Sequence, residues 1–314
     1  MVARIRIGTC SWADEALTKH WYPPGVRSGE ERLRYYAEHF DTVEANSTYY
    51  RLPDAEMASR WAERTPDGFV MHVKAFGVMT RHPVKAEALP TDLRSKAPVD
   101  ERGRVDRPTR EFRAEVFTRF HEALEPLRAA GKLGGILMQF PSYVVYKPAS
   151  LEYLEWAHEQ LHGDEMLVEF RHRSWLDDQH RAETLAFLEQ LGASYVAVDA
   201  PKTDAKNLVP TVVARTSPTA YVRMHGRNAK TWNVRGGSAS ERFDYLYSEE
   251  ELAEWIEPLR ELSEGADRAY VLFNNNRWSR APRGIEHGES ETTAQAPANA
   301  EMLRGLLAKA GLPT

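Results

Sequence analysis

Eight short runs of β-branched and apolar residues recur along this chain, and helical segments separate most of them. They cover residues 4–9, 41–46, 69–74, 134–140, 166–170, 194–198, 220–225 and 269–274. Strand–helix alternation makes consecutive strands parallel, because each helix carries the chain back across the sheet before the next strand begins. Eight such units close into a (β/α)8 TIM barrel. An open doubly wound sheet is the competing arrangement, but no Gly-x-Gly-x-x-Gly follows the first strand, which weakens a dinucleotide reading.

The helices carry their own start and stop signals. Ser28 with Glu31, and Ser248 with Glu251, fit the capping box, in which each side chain satisfies a free backbone N–H. Asp54 and Asp178 are placed to cap the next two candidates, and a helix from Asn299 is expected to end at Gly311. Two departures stand out. Residues 201–218 carry prolines and no amphipathic period, so a loop is expected in place of helix six. Residues 77–110 form a long polar insertion after strand three, a length usually found in lids and binding elements. No linker divides the chain, so residues 1–314 read as one domain.

Composition bounds the function. The chain is 42% hydrophobic and 28% charged, as in a globular protein, and no apolar run approaches the roughly 18 residues a membrane span needs. The N-terminal stretch lacks a signal-peptide core, so a cytoplasmic protein is expected, with no membrane partner. A single cysteine, Cys10, rules out an internal disulfide and any multi-cysteine zinc site. A formal charge of −5 gives no global electrostatic case for nucleic acid.

In a barrel, ligand chemistry belongs at the C-terminal ends of the strands. Read with period two, strand two places Glu44 and Asn46 on one face, and strand three places His72 and Lys74 together. Strand four ends in Gln139, strand five in Glu169 and Arg171, strand six in Asp199, and strand seven in Arg223 and His225. Strand eight ends in Asn274, Asn275 and Asn276. Charged pairs such as Glu169 and Arg171 are not ordinary core residues, because burying them costs several kcal/mol unless they pair or serve a ligand. Among Glu44, Glu169, Lys74, Arg171 and Arg223, cations exceed anions three to two. Such a mouth suits phosphate or carboxylate, to which arginine gives paired hydrogen bonds. The same five charges would also form purely structural ion pairs, and that reading stands beside the functional one.

The strings IGTCSW, WYPPG, RLRYYAEHFDTVEANSTYYRLP, VEFRHRSW, YVRMHG and FNNN resemble the YecE-like family, domain of unknown function family 72. The likeness runs in order from about residue 5 to residue 310. It implies a TIM barrel related in shape to the xylose-isomerase and endonuclease-IV class, and it brings no established activity. The positions that match the family motifs are Glu44, Asn46, Ser47, Tyr49, Tyr50, Lys74, Gln139 and Pro141 in the first half. In the second half they are Glu169, Arg171, His172, Trp175, Arg223, His225, Gly226, Asn274 and Asn275. Arg173 departs from the pattern, standing where the family commonly has proline.

Three chemistries fit these residues. Metal-assisted phosphodiester hydrolysis would use Glu44, His72, Glu169, Asp199 and His225 as ligands. Lys74, Arg171 and Arg223 would repel the metal, and none of the five ligands sits in a local His-x-Glu or His-x-x-x-His pair. A metal-free site is therefore favoured, though a divalent metal stays possible. It would use Glu44, Glu169 and His225 as catalytic acid–base groups, with the arginines and Lys74 on the anion. Asn46, Tyr49, Gln139, His172, Trp175, Asn274 and Asn275 would then contact a small phosphorylated or carboxylated ligand. The third reading is a non-catalytic barrel binding nucleic acid or a partner. It would stack bases on Trp12, Trp21, Tyr22, Tyr49, Tyr50, Trp175, Trp232 and Trp278, among Arg51, Arg173, Arg227, Lys230 and Arg235. No Gly-x-Ser-x-Gly or Walker motif points elsewhere.

Overall fold

The strands form where the β-branched runs place them. In a computed structural model, residues 2–232, 239–280 and 292–314 are described. The strands are β1 (Ile5–Thr9), β2 (Thr42–Ala45), β3 (Val70–Lys74), β4 (Leu133–Gln139), β5 (Met166–Glu169), β6 (Ser194–Asp199), β7 (Thr219–Met224) and β8 (Arg268–Phe273). They pair in sequence order into one closed, all-parallel barrel, with β8 returning to β1. β1 and β2 approach closely because residue 8 is glycine: a Cβ there would lie 2.1 Å from the carbonyl oxygen of Thr42.

Alternation sorts each strand's side chains into two apolar layers. Val43, Met71, Ile136, Val168, Ala197, Val222 and Val271 face outward and pack under the helices. Leu137, Leu167, Val196, Val198, Tyr221, Tyr270 and Leu272 face inward and fill the barrel with Cys10. The inner layer thus consists of apolar plugs below and charged groups above.

Both capping boxes form, at Ser28 and at Ser248, and Asp54 accepts from the backbone of Met57. Asp178 does not cap its helix. Asp177 instead accepts from the backbone N–H of His180, tightening residues 177–180 into a turn, so the helix begins at Arg181. The last helix runs Gln295–Lys309, starting four residues earlier than expected, and Gly311 follows it with φ +73°. No helix lies between β6 and β7, as the prolines there require.

The insertion is a packed element. Leu89, Leu93 and Val105 are buried, Lys85 and Val99 bridge to Arg104 and Val105, and Asp92 pairs with Arg119 on the helix Arg110–Ala123. Among the described residues no helix is long and apolar enough to cross a membrane.

Candidate functional site

Arg223 occupies the centre of the barrel, fully buried. Its Nη1 donates to Glu169 Oε2, and its Nη2 donates to Glu44 Oε1 at 2.6 Å and lies 3.6 Å from Cys10 Sγ. Tyr221 donates its hydroxyl to Glu44 Oε2 at 3.1 Å. One guanidinium thereby ties β7 to β2 and β5 across the barrel. Burial alone would raise the Glu169 carboxyl, but the charges of Arg171 and Arg223 outweigh it and hold it well below the usual carboxylate range.

The other oxygen of Glu169 organises the groups nearer the opening. Gln139 Nε2 donates to Oε1 at 2.8 Å, Arg171 Nε lies 2.5 Å from it, and His225 Nε2 lies 3.1 Å from it. Asn274 Nδ2 lies 2.9 Å from His225 Nδ1, and Arg171 Nη2 lies 3.1 Å from His225 Nε2, so the imidazole is held on both nitrogens. Burial, followed by the charge of Arg171, pushes His225 down to about 3. It is therefore neutral near pH 7. Arg171 is only 14% exposed and lies over the rings of Trp232 and Phe243, at 5.5 and 5.9 Å.

Lys74 ends β3 at the rim. Its side chain is partly exposed, and its Nζ stands 4.6 Å over the Tyr49 ring. Among the described residues Nζ has no ion pair and no hydrogen bond. Burial, followed by the charge of Arg223, lowers its ammonium to about 8. The mouth thus holds two glutamates against three cations, and among the described residues Lys74 is the one of the three with no carboxylate in contact, although the charges of Glu44 and Glu169 reach it.

The predicted residues divide into those this geometry gathers and those it does not. Glu44, Lys74, Gln139, Glu169, Arg171, Arg223, His225 and Asn274 form one connected group. Tyr49 flanks it, and Asn46 borders it, donating to the carbonyl of Cys10 at 2.7 Å while its buried Oδ1 has no partner among the described residues. Trp175, expected to contact the ligand, packs into the core. It is fully buried, stacked on Phe170 at 4.2 Å, with Nε1 given to the carbonyl of Val144. Asn275 faces outward and donates to Tyr245 and Asn299, locking the last helix to β8. His172 caps the turn Arg173–Trp175, accepting from Ser174.

The five suggested metal ligands are not brought together either. Asp199 follows the inward Val198 and so faces out, where Tyr247, Trp255 and Arg227 hold it. His72 sits deeper, between Tyr221 and Tyr270. Among the described residues no three His, Cys, Asp or Glu side chains converge as a metal site. The reading that no His-Glu-x-x-His motif is present was wrong, because HEQLH at 158–162 spells that zinc-protease signature. Its helix stops at Glu159 and His162 has φ +51°, so the two imidazoles do not share a helical face.

Four of the eight aromatics proposed for base stacking are core residues. Trp12, Trp21, Trp175 and Trp232 are buried, whereas Tyr50 is 64% exposed. Arg235 lies outside the described residues. Trp232, expected only to stack bases, and two residues that the sequence did not single out, Phe243 and His82, shape the mouth. Trp232 and Phe243 clamp Arg171, and His82 of the insertion packs edge-on against Tyr49 at 5.1 Å. None of the three has a periodic signal in the sequence.

A family model described as "Protein of unknown function DUF72" matches residues 6–311. The UPF0759 protein YunF of Bacillus subtilis is 31% identical over 276 residues, 87% of this chain and 89% of that protein. A crystal structure of a DUF72 family protein from Thermotoga maritima is 30% identical, with TM-score 0.72, covering 97% of this chain and 99% of that one. Another, from Enterococcus faecalis, is 25% identical with TM-score 0.75, covering 97% and 95%.

Proposed function

The chain belongs to the DUF72 family, and from that premise we propose that its barrel mouth binds a small anionic ligand bearing phosphate or carboxylate, met by Lys74 and Arg171. The observation that carries this reading is Lys74. It is a partly exposed ammonium without a counter-ion among the described residues, in a barrel whose two glutamates are already held by Arg223 and Arg171. An anion is what that arrangement lacks. Asn46 Oδ1, which has no donor among the described residues, supports a hydroxyl-bearing ligand such as a sugar phosphate or hydroxy acid.

The same geometry supports a reaction of the proton-transfer class. A group that titrates near 8 exchanges its proton close to neutral pH, and this is the property a general acid or base needs. Lys74 fills that role better than Glu44, Glu169 or His225, which are fully buried in mutual hydrogen bonds. In this reading the two glutamates orient the cations, and Gln139 and Asn274 hold Glu169 and His225 in place.

Lys74→Met tests the assignment. A panel of sugar phosphates and hydroxy acids, screened by thermal shift and followed by calorimetry, is expected to give a binder that the variant holds at least tenfold more weakly. Wild-type affinity is expected to fall as pH rises through about 8, where the ammonium loses its charge. Without ligand the variant is expected to be more stable at pH 7, on the order of 1 kcal/mol after allowing for partial exposure. The sign follows from the depressed folded value: between about 8 and the unfolded value the unfolded chain binds more protons. Wild-type stability therefore climbs across that window, and that of the variant does not. Unchanged affinity in Lys74→Met for every binder found would contradict the assignment.

A further inference from the structure

The insertion encloses a second space, beside the mouth. Between the segment 78–83, the segment 104–108 and the helix Arg110–Ala123 lies a cavity of about 380 Å³, bordered by Tyr143 from the loop after β4. Four arginines line it, Arg81, Arg104, Arg107 and Arg113, against one carboxylate, Asp106. That leaves an excess of three positive charges on the wall. Arg104 is spoken for by Asp100, at 2.9 Å, and Arg107 only grazes Asp106, at 4.0 Å with its side chain 93% exposed.

Arg81 and Arg113 are the unusual pair. Their guanidiniums share the ring of Tyr153, at 5.2 and 5.8 Å, and neither has an ion pair among the described residues. The charged and titratable groups that bear on Arg113 are Tyr153 and Arg81. Its Nη1 donates to the carbonyl of Pro108 at 2.8 Å, which fixes the plane of the guanidinium, while its buried Nε has no partner among the described residues. Arg81 stands at φ +67°, a backbone region that residues with a Cβ seldom occupy, and Tyr143 donates its hydroxyl to the Arg81 carbonyl. Two like charges on one ring, with no carboxylate between them, repel each other. An anion would turn that repulsion into binding, and guanidinium forks match the oxygens of phosphate.

We propose that this cavity is a second anion subsite, built to take a phosphate group. It stands apart from the reading of the mouth, although the two places share a wall. His82 lines the cavity and packs against Tyr49, whose face carries Lys74 Nζ. The phosphate belongs either to a small ester or to the backbone of a nucleic-acid strand, and the chemistry of the site is the same for both.

Inorganic pyrophosphate titrated calorimetrically into the full chain at low ionic strength tests the proposal. Saturable binding is expected, weakened about tenfold or more in Arg81→Gln and in Arg107→Gln, and changed less than twofold for that site in Lys74→Met. Arg107→Gln alters an exposed side chain, so it carries the test if Arg81→Gln does not fold. Displacement of pyrophosphate by short oligothymidylate at lower concentration than by sugar phosphates would assign the phosphate to a strand, and the reverse order to a small ester. No saturable binding, or full binding in both arginine variants, would overturn the subsite. If only the reading of the mouth is wrong, Lys74→Met leaves every binding event unchanged while the arginine variants still lose theirs.

Discussion

Arg223→Met is expected to destabilise the protein by about 3–5 kcal/mol, the cost of leaving buried charges without their partner. Arg223 is fully buried and bonds both Glu44 and Glu169, so its removal leaves two carboxylates facing the hole it vacates. The pH dependence should invert. In the wild type the Glu169 carboxyl is held low, so its contribution is present above the unfolded value of about 4.3 and is lost only as pH falls through the lower folded value. In the variant Arg171 remains beside Glu169, but two buried carboxylates now share that one paired cation, so the folded state binds a proton more readily than the unfolded one. The deficit should therefore shrink as pH falls from 7.5 toward 5. Urea unfolding at those two pH values measures it. The double variant Glu44→Gln, Arg223→Met should recover much of the loss, because Glu169 then keeps Arg171 as its counter-ion and no carboxylate is left buried alone.

Asp199→Ala is expected to cost a similar amount, about 3–5 kcal/mol, and to lower the melting temperature by on the order of 10 °C. Its carboxylate is buried and accepts from Tyr247 Oη at 2.7 Å, Trp255 Nε1 at 2.8 Å, and Arg227 Nε and Nη2 at 3.0 and 2.8 Å. Four donors lose their acceptor at once. The damage reaches the mouth, because the Tyr247 hydroxyl also accepts from the backbone of Gly226, where the loop leading to Trp232 begins. Trp232 supports Arg171. Ligand affinity should therefore drop together with stability, although Asp199 touches no ligand in this account. Calorimetric melting of Asp199→Ala and Asp199→Asn checks the first point, and a loss under 1 kcal/mol in the alanine variant would refute it.

The barrel was legible in the sequence because β-branched runs and capping residues are local signals. Parity was less so. Strand six is buried on both sides, so nothing in its composition told that Val196 and Val198 point inward and Asp199 outward. The same ambiguity separates Asn274, which meets His225, from Asn275, which meets Asn299. Glu169, Arg171 and Arg223 were found because charged side chains in a buried strand are costly, and cost is visible in a sequence. Their partners were not visible: the pairing of Arg223 with Glu44 and Glu169, and the lack of such a pair at Lys74 among the described residues, depend on distances across the barrel. The burial of Trp175 was not legible because a buried indole with a satisfied N–H and a stacking indole look alike in one dimension. His82 escaped notice, and Arg81 stood out only by its charge, because the insertion has no period to read.

The most direct test of the mouth is the titration of Lys74 itself, followed by NMR through its side-chain ε carbon and assigned with Lys74→Met. The expected midpoint is about 8 in the free protein, rising by roughly one unit or more when a phosphate ester saturates the site. A midpoint near the ordinary lysine value of about 10.4, unmoved by any phosphate or carboxylate ligand, would contradict the account.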